Sequence, residues 1–98
     1  MEKDRPLESA ITKGIQKWLK DRGCLVFKLS GGAFQAAGLP DLMVIQNGGK
    51  VMFFEVKRPK LGKVSALQKK TLYLLKSFGI VAEVVYSLDD VKNIIGVS

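Results

Sequence analysis

Asp41-Leu-Met-Val-Ile-Gln-Asn-Gly-Gly-Lys50-Val-Met-Phe-Phe-Glu55-Val-Lys57 reads as two apolar strands on either side of a turn. Asn47-Gly48-Gly49 supplies the turn chemistry, so the runs at 41–46 and 50–57 are expected to be antiparallel neighbours. Alternate residues of a strand share a face, which puts Glu55 and Lys57 with Val51 and Phe53, and Met52, Phe54 and Val56 on the other side. Loop length then decides where Asp41 falls. A three-residue loop pairs Gln46 with Lys50 and sets Asp41 opposite Glu55, on one face. A two-residue loop pairs Asp41 with Phe54, separates the acids and buries the wrong face. The three-residue loop is the expectation, with glycine in the left-handed conformation.

Upstream, Leu7, Ile11, Ile15, Trp18 and Leu19 recur at helical spacing, with Asp4 as cap, Pro6 in the first turn and Gly23 as stop. This predicts a helix over about residues 5–22. Residues 24–29 alternate as a strand, and residues 30–38 form a loop of small residues expected to stay near the site. Downstream, Pro59 and Gly62 break the chain before Ser65. A helix begins there with Leu67, Thr71, Leu74, Leu75 and Phe78 on one stripe, and stops at Gly79. Residues 80–86 form an apolar strand, and Ser87 caps a short last helix reaching about Ile95. The strand–helix–strand unit makes its two strands parallel. The order α-β-β-β-α-β-α thus predicts an α/β fold, a mixed four-stranded sheet flanked by helices, with Trp18 and the phenylalanines filling the core. Neither a repeat nor a low-complexity linker divides residues 1–98, so a single domain is expected.

The chain has 98 residues, 47% of them apolar, near the lower limit for a domain that buries its own core. Cys24 is its one cysteine, which points to a reducing, cytoplasmic location. No run is long enough for a membrane span, and the polar start is unlike a secretory signal. Sixteen Lys and Arg against nine acids leave a net charge of +7. Seven of the basic residues, Lys57, Arg58, Lys60, Lys63, Lys69, Lys70 and Lys76, fall within residues 56–82, where there is no acid. Such a segment suits a polyanion, nucleic acid first, and equally suits a merely solubilising surface.

Two converging carboxylates, Asp41 and Glu55, offer hard oxygen ligands for Mg²⁺ or Mn²⁺, and the backbone carbonyl of Val56 can add a third. Lys57, beside Glu55, suits the orientation of a nucleophile or stabilisation of transition-state charge. Read separately, Asp41 is an ordinary turn acid after Pro40, and Glu55 with Lys57 an exposed polar pair. Together they resist that reading, because Glu55 lies between Phe54 and Val56 in a strand that looks buried, where an unpaired charge is costly. By position alone Glu8 is slightly better read as a first-turn acid favoured by the helix dipole than as a residue facing the sheet. Gln68 completes the capping-box pattern Ser65-Ala-Leu-Gln68, which needs no chemistry from it. Lys28 is either a phosphate contact or a snorkelling edge residue, with phosphate preferred.

Glu8, Gly38-Leu-Pro-Asp41, Glu55-Val-Lys57 with Pro59 after it, Ser65-Ala-Leu-Gln68 and the last apolar strand together resemble a stand-alone virus-type replication-repair nuclease (VRR-NUC) domain of the PD-(D/E)xK nucleases. The resemblance spans nearly the whole chain and implies a restriction-endonuclease-like core. It also implies metal ligation by Asp41 and Glu55, with Glu8 as a further candidate ligand, and a catalytic role for Lys57. It reverses the positional preference for Glu8 and Gln68, placing both at the edge of the catalytic site.

The function expected from the resemblance is Mg²⁺- or Mn²⁺-dependent cutting of branched DNA by an endonuclease. A four-way junction cut by a homodimer is the most economical substrate, since a junction needs two matched nicks. Lys28, Arg58, Lys60, Lys63, Lys69 and Lys70 are the expected DNA contacts. The alternatives are a catalytically silent DNA-binding module, a nuclease for flaps or replication intermediates, and a small structural RNA-binding protein. Of these, the silent module does not explain Glu55, and the RNA-binding protein does not explain the paired acids.

Overall fold

The computed structural model describes residues 7–31 and 37–96. Its elements are α1 (Glu8–Asp21), β1 (Leu25–Lys28), β2 (Leu42–Ile45), β3 (Val51–Val56), α2 (Ala66–Ser77), β4 (Val81–Val85) and α3 (Leu88–Ile95), in the expected order. The four strands form one mixed sheet in the order β1-β2-β3-β4. The first two pairings are antiparallel and β3–β4 is parallel. Among the described residues no helix is long and apolar enough to cross a membrane.

Leu42 faces Phe54, Val44 faces Met52 and Ile45 faces Val51, the register of a three-residue loop. Gln46 N–H donates to the Lys50 carbonyl at 2.8 Å and Gly49 N–H to the Gln46 carbonyl at 2.9 Å. Gly48 and Gly49 hold φ of +99° and +92°, a conformation that side-chain-bearing residues rarely adopt, so both glycines are needed to turn the chain.

The first helix starts later than its periodicity predicts. Leu7 is extended (φ −70°, ψ 149°) and takes the N-cap position without a side-chain hydrogen bond, so the helix opens at Glu8. Asp4 and Pro6 lie outside the described residues. By contrast Ser65 and Ser87 cap α2 and α3 as expected, their side chains accepting the N–H groups of Gln68 and Asp90.

Ile15 and Leu19 of α1 and Val91 of α3 pack on Leu42, Val44, Met52, Phe54, Val56 and Val85 to make the main core. α2 contacts β4 and neither of the other helices. Its Leu72 is buried, as is Ala82, outside that core cluster. α2 therefore covers the opposite face of the sheet, the face from which Glu55 projects.

The expected stripe of α2 is corrected by the structure. Leu67, Leu74 and Phe78 are 48%, 47% and 81% exposed, while Thr71 and Leu75 of the expected stripe are half-buried and the helix turns Gln68 and Leu72 inward beside them. The two stripes lie about one residue apart around the helix, roughly 100°. The inner one is selected because Gln68 bonds to Glu55 and because Gly38 (φ +87°) closes on Leu67 and Thr71. A Cβ on Gly38 would lie 2.7 Å from Leu67 Cγ. Not all aromatic residues are core fillers either. Phe54 is fully buried, whereas Phe27 and Phe78 are exposed, and Trp18 lies half-buried at the core's edge with the Arg22 guanidinium 4.7 Å from its ring.

This packing predicts that Leu72→Ala lowers the unfolding free energy by roughly 2–5 kcal/mol, and that Phe78→Ala changes it by less than ~0.5 kcal/mol. Urea denaturation of the two variants checks both, and the reverse ranking would mean that α2 packs by its other face.

Candidate active site

Three pieces of chain meet at the end of β3: the residue preceding β2, the last turns of β3 itself, and the first turn of α2. Carried one step past Leu42–Phe54, the register sets Asp41 opposite Glu55, the convergence expected from parity. Asp41 is half-buried. Its Oδ2 accepts the Val56 N–H at 2.8 Å, and its own carbonyl accepts the Leu29 N–H at 2.7 Å.

Glu55 is 1% exposed. Its Oε2 accepts the Gln68 side-chain N–H at 2.9 Å and pairs with Lys57 Nζ at 3.2 Å. Its Oε1 is buried with no hydrogen-bond partner among the described residues. Gln68 performs both the capping that its position favours and the contact with the site that the family resemblance implies. Its Oε1 accepts the Ser65 N–H at 3.0 Å, completing the capping box, while its Nε2 reaches Glu55. A primary amide has an acceptor and donors on opposite atoms, so cap and site use different ends of one group.

Burial, then the neighbouring Asp41 charge, raise the Glu55 pKa from 4.5 to about 7, against the hydrogen bond and charge of Lys57, which lower it. A buried oxygen without a partner, beside a second carboxylate, is a site with excess negative charge and unused acceptor capacity. A hard divalent cation fits that donor set, since it would satisfy the orphan oxygen and neutralise the repulsion.

Glu8 is half-buried in the first turn of α1, and no three Asp, Glu, His or Cys side chains among the described residues group closely enough to hold a metal. Arg58 is half-buried directly after Lys57. Lys60 and Lys63 are exposed in the turn that follows, and Lys69 and Lys70 are exposed on α2, so these five border the site by chain continuity. Lys28 is exposed at the end of β1, paired with Leu42 in the register. Lys76, the last of the acid-free segment, pairs instead with Glu83 at 3.3 Å.

By sequence Gly62 is only a breaker, with Pro59, before the second helix. A Cβ there would lie 2.7 Å from the Arg58 nitrogen and 2.8 Å from Lys57 Cβ, so the turn folds back tightly on the lysine. Its N–H donates to the Arg58 carbonyl at 3.0 Å. The signal available in the sequence was the short spacing from Pro59, which forces a compact turn. Of the small-residue loop, residues 32–36 lie outside the described residues, while Gly38 packs against α2.

The family model of the VRR-NUC domain matches residues 33–89, the segment that carries Asp41, Glu55, Lys57 and Gln68. The chain belongs to the VRR-NUC family. It is also similar to a solved structure described as a VRR_NUC domain, with 31% identity and a TM-score of 0.77 over 90% of this chain and 92% of that one. No curated protein matches it significantly. This VRR-NUC domain is thus a nuclease-type domain on a restriction-endonuclease-like α/β fold. The matched segment begins after Glu8 and Lys28.

The raised Glu55 pKa has a stability consequence of definite sign. Between pH 4.5 and about 7 the folded state holds the proton and the unfolded state does not. Metal-free stability is therefore full below 4.5 and falls as pH rises to about 7, by on the order of 3 kcal/mol. Thermal unfolding in chelator across this range is expected to show that decline, and Glu55→Gln to flatten it. An equal slope in the variant would assign the decline to other groups.

Proposed function

We propose that this VRR-NUC domain is a Mg²⁺- or Mn²⁺-dependent DNA endonuclease acting on branched DNA, with the four-way junction as its preferred substrate. The observation that carries the metal dependence is the buried, unpartnered Oε1 of Glu55 beside Asp41. Asp41, Glu55 and the Val56 carbonyl would hold the ion, with Glu8 joining only on the strength of the family resemblance. The chemistry supplied by such an ion is Lewis-acid polarisation of the phosphodiester and stabilisation of the leaving oxygen.

The protein's own groups supply the rest. Lys57, held against Glu55 by the ion pair and by the Gly62 turn, orients the attacking water or stabilises charge on the phosphate as it develops. Gln68 fixes Glu55 from the other side, and its backbone is itself fixed by the cap. Lys28, Arg58, Lys60, Lys63, Lys69 and Lys70 contact phosphates without reading sequence. Leu67, Leu74 and Phe78 on α2, with Leu25 and Phe27 on β1, leave apolar area in water. A second copy of the chain covering such area would set two active sites at fixed distance for paired nicks.

The deciding experiment incubates labelled four-way junction, flap and linear duplex with the protein, using Mg²⁺, Mn²⁺ or chelator, and measures the protein's mass in solution. Symmetric nicks in the junction, a dimer mass, and loss of cutting in chelator and in Asp41→Asn are expected. Binding without cutting under either metal would leave a silent DNA-binding module, and preferred cutting of the flap would transfer the substrate to replication intermediates.

Lys57→Ala is expected to slow cutting by roughly 10²–10³-fold while leaving DNA affinity within a few-fold, measured by junction binding in Ca²⁺. Loss of binding with metal affinity intact would make Lys57 a phosphate contact instead.

A further inference from the structure

Gln46 N–H donates to the carbonyl of Lys50, making these two a hydrogen-bonded pair of the antiparallel ladder. Such pairs recur at every second residue, at Val44–Met52 and Leu42–Phe54, and the next step places Pro40 opposite Val56. On the other side of β3, Lys57 N–H donates to the Val85 carbonyl. Backbone groups of successive strand residues point to opposite edges, so the N–H and carbonyl of Val56 face β2, toward Pro40.

Pro40 is fully buried and carries no N–H. Of the two bonds that would close the ladder at this step, the one from position 40 to the Val56 carbonyl therefore cannot form. The Val56 N–H is taken by the Asp41 carboxylate at 2.8 Å, and the Val56 carbonyl is denied the donor that any other residue at position 40 would offer.

We infer that Pro40 is a positioning residue for the metal site: by withholding an N–H it removes the donor that would close the β2–β3 pair onto the Val56 carbonyl, which keeps that carbonyl available as a ligand while the Val56 N–H orients Asp41. The inference rests on the metal-dependent reading proposed above. A residue with an N–H here would extend the sheet, engage the carbonyl and compete with the ion for it.

Two versions of the full chain test this: Pro40→Ala, and a chemically synthesised chain with N-methylalanine at position 40, which has the same side chain and no N–H. Mn²⁺ affinity is measured by calorimetry, and exchange of the new amide at position 40 by NMR without metal. Pro40→Ala is expected to bind Mn²⁺ about tenfold more weakly or worse, with its new amide protected, whereas the N-methylalanine chain keeps wild-type affinity. Equal affinity in Pro40→Ala, a freely exchanging amide, or equal weakening by N-methylalanine overturns the inference and leaves the metal reading standing. Failure of Pro40→Ala alone to fold also overturns it, because the variant gains a ladder bond. Absence of Mn²⁺ binding by the wild-type protein overturns both.

Discussion

A carboxylate removed from water at the end of β3 is the constraint around which the rest of the molecule is arranged. Glu55 is 1% exposed, with one oxygen held by Gln68 and Lys57 and the other by no partner among the described residues. Holding it there is unfavourable, as its pKa near 7 shows, so the surrounding chain must supply compensation from several directions. Strand β3 provides it through the core on its other face, where Met52, Phe54 and Val56 are buried against α1 and α3. The side chains at the charged end are thus fixed by apolar packing beneath them.

The same constraint explains an otherwise costly feature of α2. A helix with Leu67, Leu74 and Phe78 available for burial exposes all three and buries Leu72 near Gln68 instead. The bond from Gln68 to Glu55 and the close approach of Gly38 define the rotation, and the leucines and phenylalanine take what is left. The apolar area left in water gives the proposed second copy a surface to cover. Site geometry and the exposed apolar area on α2 are thereby consequences of one choice of helix rotation.

Much was legible in the residues taken in order. Asn47-Gly48-Gly49 marked the turn, the need to bury the apolar face and keep the acids together selected its three-residue form, and that register brought Asp41 to Glu55. Ser65 and Ser87 marked helix starts because a hydroxyl that accepts a backbone N–H is a local event, needing no knowledge of the rest of the chain. Alternation along β3 told its core face from its charged face for the same reason. The start of α1 was less legible, since the apolar spacing ran back to a leucine whose backbone is extended.

What the sequence by itself determined, then, is everything decided within a few residues: element order, hairpin register, caps, and the pairing of a carboxylate with a lysine on one strand face. Tertiary structure alone decided the rotation of α2, the two simultaneous roles of Gln68 and the closeness of Gly62 to Lys57. These depend on which distant surfaces come to share a boundary. Hydrophobic periodicity identifies the stripes a helix can bury, but a single hydrogen bond to a buried carboxylate can outweigh the difference between them.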